Sequence, residues 1–400
     1  MVARPFDVAI VGGGPAGAAA AITAARNGLR VVCLDKAKFP RDKTCGDGLT
    51  ASALHALERL GLACERLHAL PAVVVDETVL VSPSGRRVRL PLAGDGMHAA
   101  VVRRLDLDAA LLDVARGHGV DVRDGYGVRH VELTDDHVTL DVDGGTDVRA
   151  RFVIAADGHF STVRRVLQPS VKRDLGEWHA VRQYFDGVRD TRLWVIFEKD
   201  LLPGYAWVFP LPGGQVNVGY GVLRDDRRKG RDLKRLWPNL LERRVVRDIL
   251  GPKAQAVDSV RAWPIPARYD RARLTDGRVL YVGDAAGVVD PMTGEGIAQA
   301  LDTGTLAAEA IARGGDVGAR YRDAVDRALG RDLRFAGALQ AVLRSPVGAR
   351  GAVRAAGLSP WTRRQFARWM WEDYPRALLG TPDRWHRGSL KAAGAFAMSS

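Results

Sequence analysis

The chain has 400 residues, 46% hydrophobic and 26% charged, which suits a large buried core and excludes a disordered or collagen-like polypeptide. No apolar run is long enough to cross a bilayer, and the start of the chain runs into a strand rather than a secretory leader, so a cytoplasmic location is expected. The net charge of +12 is uneven: from Arg331 onward twelve Lys or Arg face four Asp or Glu, a net of +8.

In chain order, Phe6–Val11 reads as a buried parallel strand, Gly12–Gly17 as a turn, and Ala18–Asn27 as a helix of small residues ended by Gly28. Leu29–Asp35 is the next strand. A loop over Lys36–Gly48 leads to a helix from Thr50 to Leu60. Residues 72–92 alternate as a strand pair around Ser82–Arg86 and are assigned to a second sheet. A helix is expected over Arg104–Gly117, and strands over Asp121–Val131, His137–Val142 and Arg151–Ala156. Aromatic-rich strands then follow at Ala180–Phe185, Leu193–Glu198, Tyr205–Phe209 and Val216–Val222, with an amphipathic helix over Leu233–Leu250. Val279–Val282 and the Gly-rich segment Gly283–Gly296 return to the first pattern.

Three cysteines make neither a disulfide framework nor a zinc site, because their number is odd and no CxxC or His pairing accompanies them; no metal is expected. Cys33 and Cys64 read as core, whereas Cys45 lies in a polar loop.

The run Gly12-Gly13-Gly14-Pro15-Ala16-Gly17 between a strand and a helix is a dinucleotide turn. Gly12 permits the tight turn, Gly14 lets phosphate approach the backbone, and Gly17 allows close helix–strand packing. The helix N-terminus at Ala16 offers free N–H groups to the pyrophosphate, and Asp35, followed by Lys36, ends the second strand where it can accept from ribose. Two later segments separate FAD from NAD: Phe152–Gly158, ending in Asp157-Gly158, and Tyr281–Gly287, containing Asp284, with Gly294-Glu295-Gly296-Ile297 behind it. The three together resemble the fingerprints of the para-hydroxybenzoate hydroxylase-like FAD superfamily. That resemblance implies that Asp284 binds the ribityl chain and that Arg104, with Arg103 as a neighbouring candidate, meets the FAD phosphates or ribose. It implies that Val128 meets the adenine through its backbone. It also implies a helix opening near Gly294 and aimed at the flavin, where its dipole stabilises the charge of the reduced ring.

Phe39–Gly48, and Pro203-Gly204-Tyr205-Ala206-Trp207-Val208-Phe209-Pro210 with Asn217-Val218-Gly219, narrow the resemblance to the geranylgeranyl reductase family, and within it to actinobacterial members acting on menaquinone. The implied fold is α/β: a Rossmann-like FAD-binding domain (1–71, 98–170 and 269–330), an inserted, mixed and mostly antiparallel substrate domain (72–97 and 171–268), and a C-terminal helical region (331–400), basic and Trp-rich. The family places Cys45, Gly46 and Gly48 beside the isoalloxazine. Cys45 either assists proton delivery or is a small residue that lets the ring approach. Tyr205, Trp207 and Phe209 project to one face of a strand, where they either line a prenyl-chain cavity or pack the inter-sheet core.

Three chemistries share these fingerprints: reduction of an isoprenoid double bond, monooxygenation and halogenation. Tyr205 stands where a WxWxIP halogenase pattern has its first Trp. No second GxGxxG unit is present, so NAD(P)H visits transiently or another donor supplies electrons. The tail, with Trp361, Trp369, Trp371 and Trp385, reads either as a contact for an anionic membrane or as a solvated basic helical face; no nucleic-acid motif accompanies its charge. Oligomeric state is not encoded in any of these motifs.

Overall fold

The computed structural model describes residues 5–62, 64–92, 94–169, 175–224, 230–377, 380–384 and 393–397. Trp385 and the side chain of Cys64 lie outside the described residues.

The fold is mixed α/β. Phe6–Val11 is central in the first sheet, with Val148–Ala155 on one side and Val31–Asp35 on the other, all parallel; Val279–Tyr281 and Asp121–Asp124 extend it outward. Ile10 pairs with Ile154 and with Cys33, so the carboxyl ends of the three central strands align, and ligands of open α/β sheets bind there. The helix Pro15–Arg26 is built of small residues because it is pressed against the long helix Ile297–Arg313. At their contact a Cβ on Gly304 would stand 2.1 Å from the Ala16 carbonyl oxygen, so only glycine fits.

The second sheet runs in the order Trp178–Asp186, Gln215–Leu223, Tyr205–Leu211, Leu193–Ile196, Glu77–Val81 and Arg87–Pro91, with Arg261–Ile265 beyond Trp178–Asp186. Its pairings are antiparallel except where Leu193–Ile196 meets Glu77–Val81. The alternation of Tyr205–Leu211 decides what each face does. Ala206 and Val208 pack under the helices Gly230–Glu242 and Arg244–Leu250, while Trp207 and Phe209 pack on the other face with Val353, Ala367 and Trp371 of the C-terminal helices. Gly48–Thr50, Ala99–Val102 and Ala72–Val74 make a third, three-stranded sheet, so residues 72–74 stand apart from the hairpin that follows them.

Ala72–Val74, expected in the strand pair of the second sheet, thus belongs to the third, and two further elements differ from the sequence reading. The expected strand Asp121–Val131 breaks at Gly125, whose φ of +84° turns the chain between Asp121–Asp124 and Val128–Leu133. The expected helix Leu233–Leu250 is two helices, interrupted at Arg243, which takes an extended backbone.

The C-terminal tryptophans also divide. Trp371 is buried and donates from Nε1 to Thr78 Oγ1 at 2.9 Å, Trp369 packs beside Met292 and donates to the Arg376 carbonyl, and Trp361 is 64% exposed. Arg368 and Arg376 are buried in ion pairs, so part of the basic tail is structural rather than a solvated face.

Candidate cofactor and active site

One cavity of about 530 Å³ runs from the carboxyl ends of the first sheet to the aromatic face of the second. Its far end is the Gly12–Gly17 turn. Gly12 has φ +106°, and its amide donates to the Leu34 carbonyl at 2.7 Å; a Cβ on Gly17 would stand 1.8 Å from the Gly12 oxygen. A Cβ on Gly14 would stand 3.6 Å from the guanidinium nitrogens of Arg104 and Arg41, so the bare backbone there faces both arginines. Both arginines lean on the fully buried Asp108: Arg104 donates two hydrogen bonds of 2.7 Å, and Arg41 lies 3.0 Å away. Arg103 is turned to the second sheet, where it meets Gln215 and stacks on Tyr184, so Arg104 is the arginine facing the cavity.

Asp35 borders the cavity, but its carboxylate already accepts from Gly13 N at 2.7 Å and Ala37 N at 2.8 Å. It holds the turn in shape and keeps lone pairs for a ribose. Lys36 and Val128 line the same end, and Gly17 packs behind it. Asp157 accepts from Thr162 N and Val163 N through Oδ2, while its Oδ1 is buried without a hydrogen-bond partner.

At the other end the Cys45–Gly48 loop lies against the aromatic strand. A Cβ on Gly48 would stand 3.2 Å from Phe209 Cε2, and one on Gly46 3.6 Å from the same atom. Asn217 pins the loop: its Nδ2 donates to the Cys45 carbonyl and to Asp47 Oδ2, both at 2.8 Å, while Trp207 Nε1 donates to its Oδ1 at 3.0 Å. Tyr184 donates to Asp47 at 2.7 Å, and Arg182, fully buried, lies over Tyr184 and pairs with Asp42 and Asp258. Burial lifts the Asp47 carboxyl to about 6 against the hydrogen bonds from Tyr184 and Asn217. Burial also pushes the Cys45 thiol up to about 11, with Asp47 adding to the effect, a direction that disfavours the thiolate. Lys43 sits 3.5 Å from the centre of the Trp263 ring, and burial brings its ammonium down to about 8 although Asp284 opposes the shift.

Tyr205, Trp207 and Phe209 line this end, and Trp207 and Phe209 are under a tenth exposed, so the face both bounds the cavity and belongs to the core. Their ring centroids step by 6.1 Å. Gly219 across the strand has no room for a Cβ, which would stand 2.2 Å from the Trp207 ring.

The helix Ile297–Arg313 opens at Gly296 with no side-chain cap, leaving its first N–H groups and positive dipole end beside the cavity. Gly294, with φ +74°, Asp284 and Glu295 border the same space.

A model described as an FAD binding domain matches residues 5–313. Over 329 residues the chain is 35% identical to the menaquinone reductase of Mycolicibacterium smegmatis, covering 76% of this chain and 75% of that one. The chain belongs to the geranylgeranyl reductase family of FAD-dependent oxidoreductases. It is also 32% identical over 313 residues to digeranylgeranylglycerophospholipid reductase 2 of Methanopyrus kandleri, covering 76% of each. Its fold matches a geranylgeranyl bacteriochlorophyll reductase-like protein from Thermoplasma acidophilum with a TM-score of 0.79 at 23% identity, over 96% of this chain and 100% of that one.

The residues present fit FAD. Two uncapped helix starts, the bare backbone at Gly14, the Arg41–Arg104 pair and the orphaned Asp157 Oδ1 are the donors and acceptor that a pyrophosphate and a polyol chain use. Asp47, Tyr184, Asn217 and Glu295 carry no role in the sequence reading, although Asp47 and Asn217 lie inside the two segments that carry the family resemblance and Glu295 inside the Gly294–Ile297 motif; Arg41 enters it only as a neighbour of Cys45.

Glu295 is lifted to about 8 by burial and then by the charge of Glu372, with Arg376 opposing. Its proton therefore stabilises the fold below about pH 4.5, and that contribution is lost as pH rises through 8. Glu295→Gln removes this titration. The melting temperature of the variant, measured against wild type, should rise by several degrees between about pH 5 and pH 8.5; a difference that does not change with pH contradicts the assignment.

Proposed function

We propose that this enzyme saturates carbon–carbon double bonds in an isoprenoid chain, either a menaquinone tail or a geranylgeranyl lipid. The observation that carries the reading is a single cavity joining the dinucleotide turn, the Cys45–Gly48 loop and the Tyr205–Trp207–Phe209 face. When bound, reduced FAD supplies the hydride. Gly12, Gly14, Ala16 and Gly17 shape the pyrophosphate site, with Arg104, Asp157 and Asp284 along the cofactor and Asp35, Lys36 and Val128 at the adenine end. Gly294, Gly296 and Ile297 bring the helix dipole to the ring. The aromatic face holds the prenyl chain and keeps water from an alkene that is a poor hydride acceptor. The hairpin Glu77–Pro91 and residues 178–265, which build the second sheet, act as a substrate module inserted into the FAD domain. Electrons arrive from NAD(P)H or another donor by transient contact.

Cys45 borders the reacting region, its thiolate disfavoured by burial. Cys45→Ser should keep at least about a third of wild-type turnover if the loop only admits the ring; a loss of about a hundredfold assigns the sulfur a chemical part. Anaerobic mixing of the reduced holoenzyme with a prenyl-tailed quinone tests the whole reading. Flavin should reoxidise with the unsaturated tail and not with the same headgroup on a saturated tail. Equal reoxidation by both would reduce the activity to quinone-headgroup reduction, and turnover that needs oxygen would favour a monooxygenase.

The C-terminal helices supply the membrane contact in this reading. No helix among the described residues is long and apolar enough to cross a bilayer, but Leu358 and Trp361 are 71% and 64% exposed beside Arg363 and Arg364. Aromatic and apolar side chains rimmed by arginine suit an anionic interface. Leu358→Ser with Trp361→Ser should weaken sedimentation with anionic vesicles about tenfold or more without changing flavin content. Unaltered vesicle binding would remove this surface from the account.

A further inference from the structure

Alkene saturation consumes a proton for every hydride, and that proton must reach a cavity walled by Trp207, Phe209 and Tyr205. The titratable groups there are Lys43, Asp47, Tyr205, Cys45 and Glu295; Lys43 lies over the Trp263 ring, and Asp47 Oδ2 is taken up as acceptor by Tyr184 and Asn217. Tyr205 already donates to the Thr293 carbonyl, and the Cys45 thiol is a weak acid buried among Asp47, Arg104 and Asn217. Glu295 differs. Its carboxyl borders the cavity, with Oε1 3.8 Å from where a Gly48 Cβ would stand, a point itself 3.2 Å from the Phe209 ring.

Behind Glu295 the molecule has a second cavity, of about 220 Å³, lined by Ser52, Gln299, Asp302, Asp332, Glu372 and Arg376 among others. The first turn of the helix Ile297–Arg313 is the partition: Ile297 and Ala300 face the flavin cavity, while Ala298, Gln299 and Asp302 face the second one. Two groups lining it are buried without a hydrogen-bond partner, Arg376 Nη1 and Gln299 Oε1, in residues only 2% and 5% exposed. Buried polar groups of this kind recruit water when the space is polar and large enough.

Asp302 and Glu372 both line this second cavity, and the charges of Glu372, Arg376 and Asp290 act on Glu295 from its far side. Asp302 keeps 27% exposure and lies 3.7 Å from Arg59. Glu372 accepts from Thr50, Gln299 and Arg376 at 3.0 to 3.1 Å. Arg376 also pairs with Asp290 at 3.1 Å, and the Asp290 amide donates to the Glu295 carbonyl. Glu372 has φ +57° just past the helix Pro360–Met370, a conformation that favours glycine, and its side chain joins this cluster.

We infer that Glu295 holds the proton that completes each reduction, and that the second cavity returns it from solvent by way of Asp302 and Glu372. This rests on the reductase reading above. Glu295 gives its carboxyl proton to one alkene carbon, and the π electron pair forms that C–H bond. The other carbon takes the hydride from reduced flavin, which is oxidised by two electrons, and Glu295 is left as a carboxylate to be reprotonated. The groups facing it are Asp290 on its own loop, Glu372 and Arg376 from the C-terminal segment, Tyr205 from the aromatic strand and Cys45 from the loop. Burial and the Glu372 charge keep Glu295 protonated near neutral pH, while burial, opposed by Arg59, lifts Asp302 to about 6, the weaker hold suited to the solvent end.

The test uses the holoenzyme and its Glu295→Gln, Glu295→Asp and Glu372→Gln variants. Infrared difference spectra across about pH 6 to 10 should show one protonated-carboxyl band titrating near 8 in wild type and absent from Glu295→Gln. Single-turnover saturation should fall at least about a hundredfold in Glu295→Gln with lipid affinity unchanged, and Glu295→Asp should restore part of it. Glu372→Gln should slow recovery of the band after a pH jump. Saturation by Glu295→Gln at the wild-type rate and pH profile would overturn the inference and leave the reductase reading standing. If that variant loses flavin, the infrared titration decides, and an unchanged set of bands overturns the inference. A wild-type enzyme that saturates no alkene overturns both.

Discussion

Gly12→Ala will yield a folded protein that retains little or no flavin. The alanine Cβ would stand 2.3 Å from the Ala156 carbonyl oxygen and 2.6 Å from its carbon, backbone atoms at the end of a central strand that cannot swing aside. The φ of +106° adds a conformational penalty of about 1–2 kcal/mol for any residue with a side chain, and the overpacking adds about 1–3 kcal/mol. Relief comes from moving the turn away from the sheet, which misdirects the N–H groups at the start of Pro15–Arg26. Flavin affinity should drop about a hundredfold or more, read from the flavin-to-protein absorbance ratio. Gly28→Ala is the control, because Gly28 has φ +76° but nothing within 4 Å of its Cβ position. It should lose about 1 kcal/mol of stability and keep its flavin. Equal flavin retention by both variants would mean that the close approach at Gly12 does not govern cofactor binding.

Trp207→Ala will damage stability and turnover together. Removing a large buried aromatic costs about 3–5 kcal/mol, and here it also strips the donor from Asn217 Oδ1, the residue that ties the Cys45–Gly48 loop to the second sheet. The aromatic wall and the loop therefore fail as one unit, and kcat/KM for a prenyl substrate should fall about a hundredfold or more. Trp207→Phe keeps most of the apolar surface and loses the hydrogen bond, so it should cost only about 1–2 kcal/mol and a smaller part of the activity. Denaturant melts and steady-state kinetics on both variants check this. A phenylalanine variant as impaired as the alanine one would shift the weight from packing to the hydrogen bond.

The parts of the molecule that could be read from sequence are those in which local geometry dictates residue type. The turn at Gly12 needs glycine because of its φ and its neighbours, and Asp35, Asp157 and Asp284 each end or follow a strand within a short motif. The helix Arg104–Gly117 matches its sequence reading from end to end. The polar cluster under the Cys45–Gly48 loop was hidden for the opposite reason. Tyr184 lies 137 positions from Asp47, and Asn217 lies 170 positions from it, and none of the three is unusual alone. Only the pairing of the second sheet brings them together. The C-terminal segment misled in the same way: Glu372 bonds Thr50 across 322 positions, and two tail residues counted among the basic and Trp-rich surface, Arg376 and Trp371, are buried. Composition reports charge and aromatic content, but tertiary packing decides which of those side chains reach solvent.

In the proposed reaction, bound flavin hands its electrons to an isoprenoid double bond. The measurement that meets it most directly is product mass against flavin oxidised, in an anaerobic single turnover with a polyprenyl quinone and a geranylgeranyl lipid offered separately. At least one of them should gain a tail heavier by two hydrogens for each flavin reoxidised. Flavin reoxidised with the tail unchanged in mass, or a product that gains oxygen once air is admitted, would contradict it.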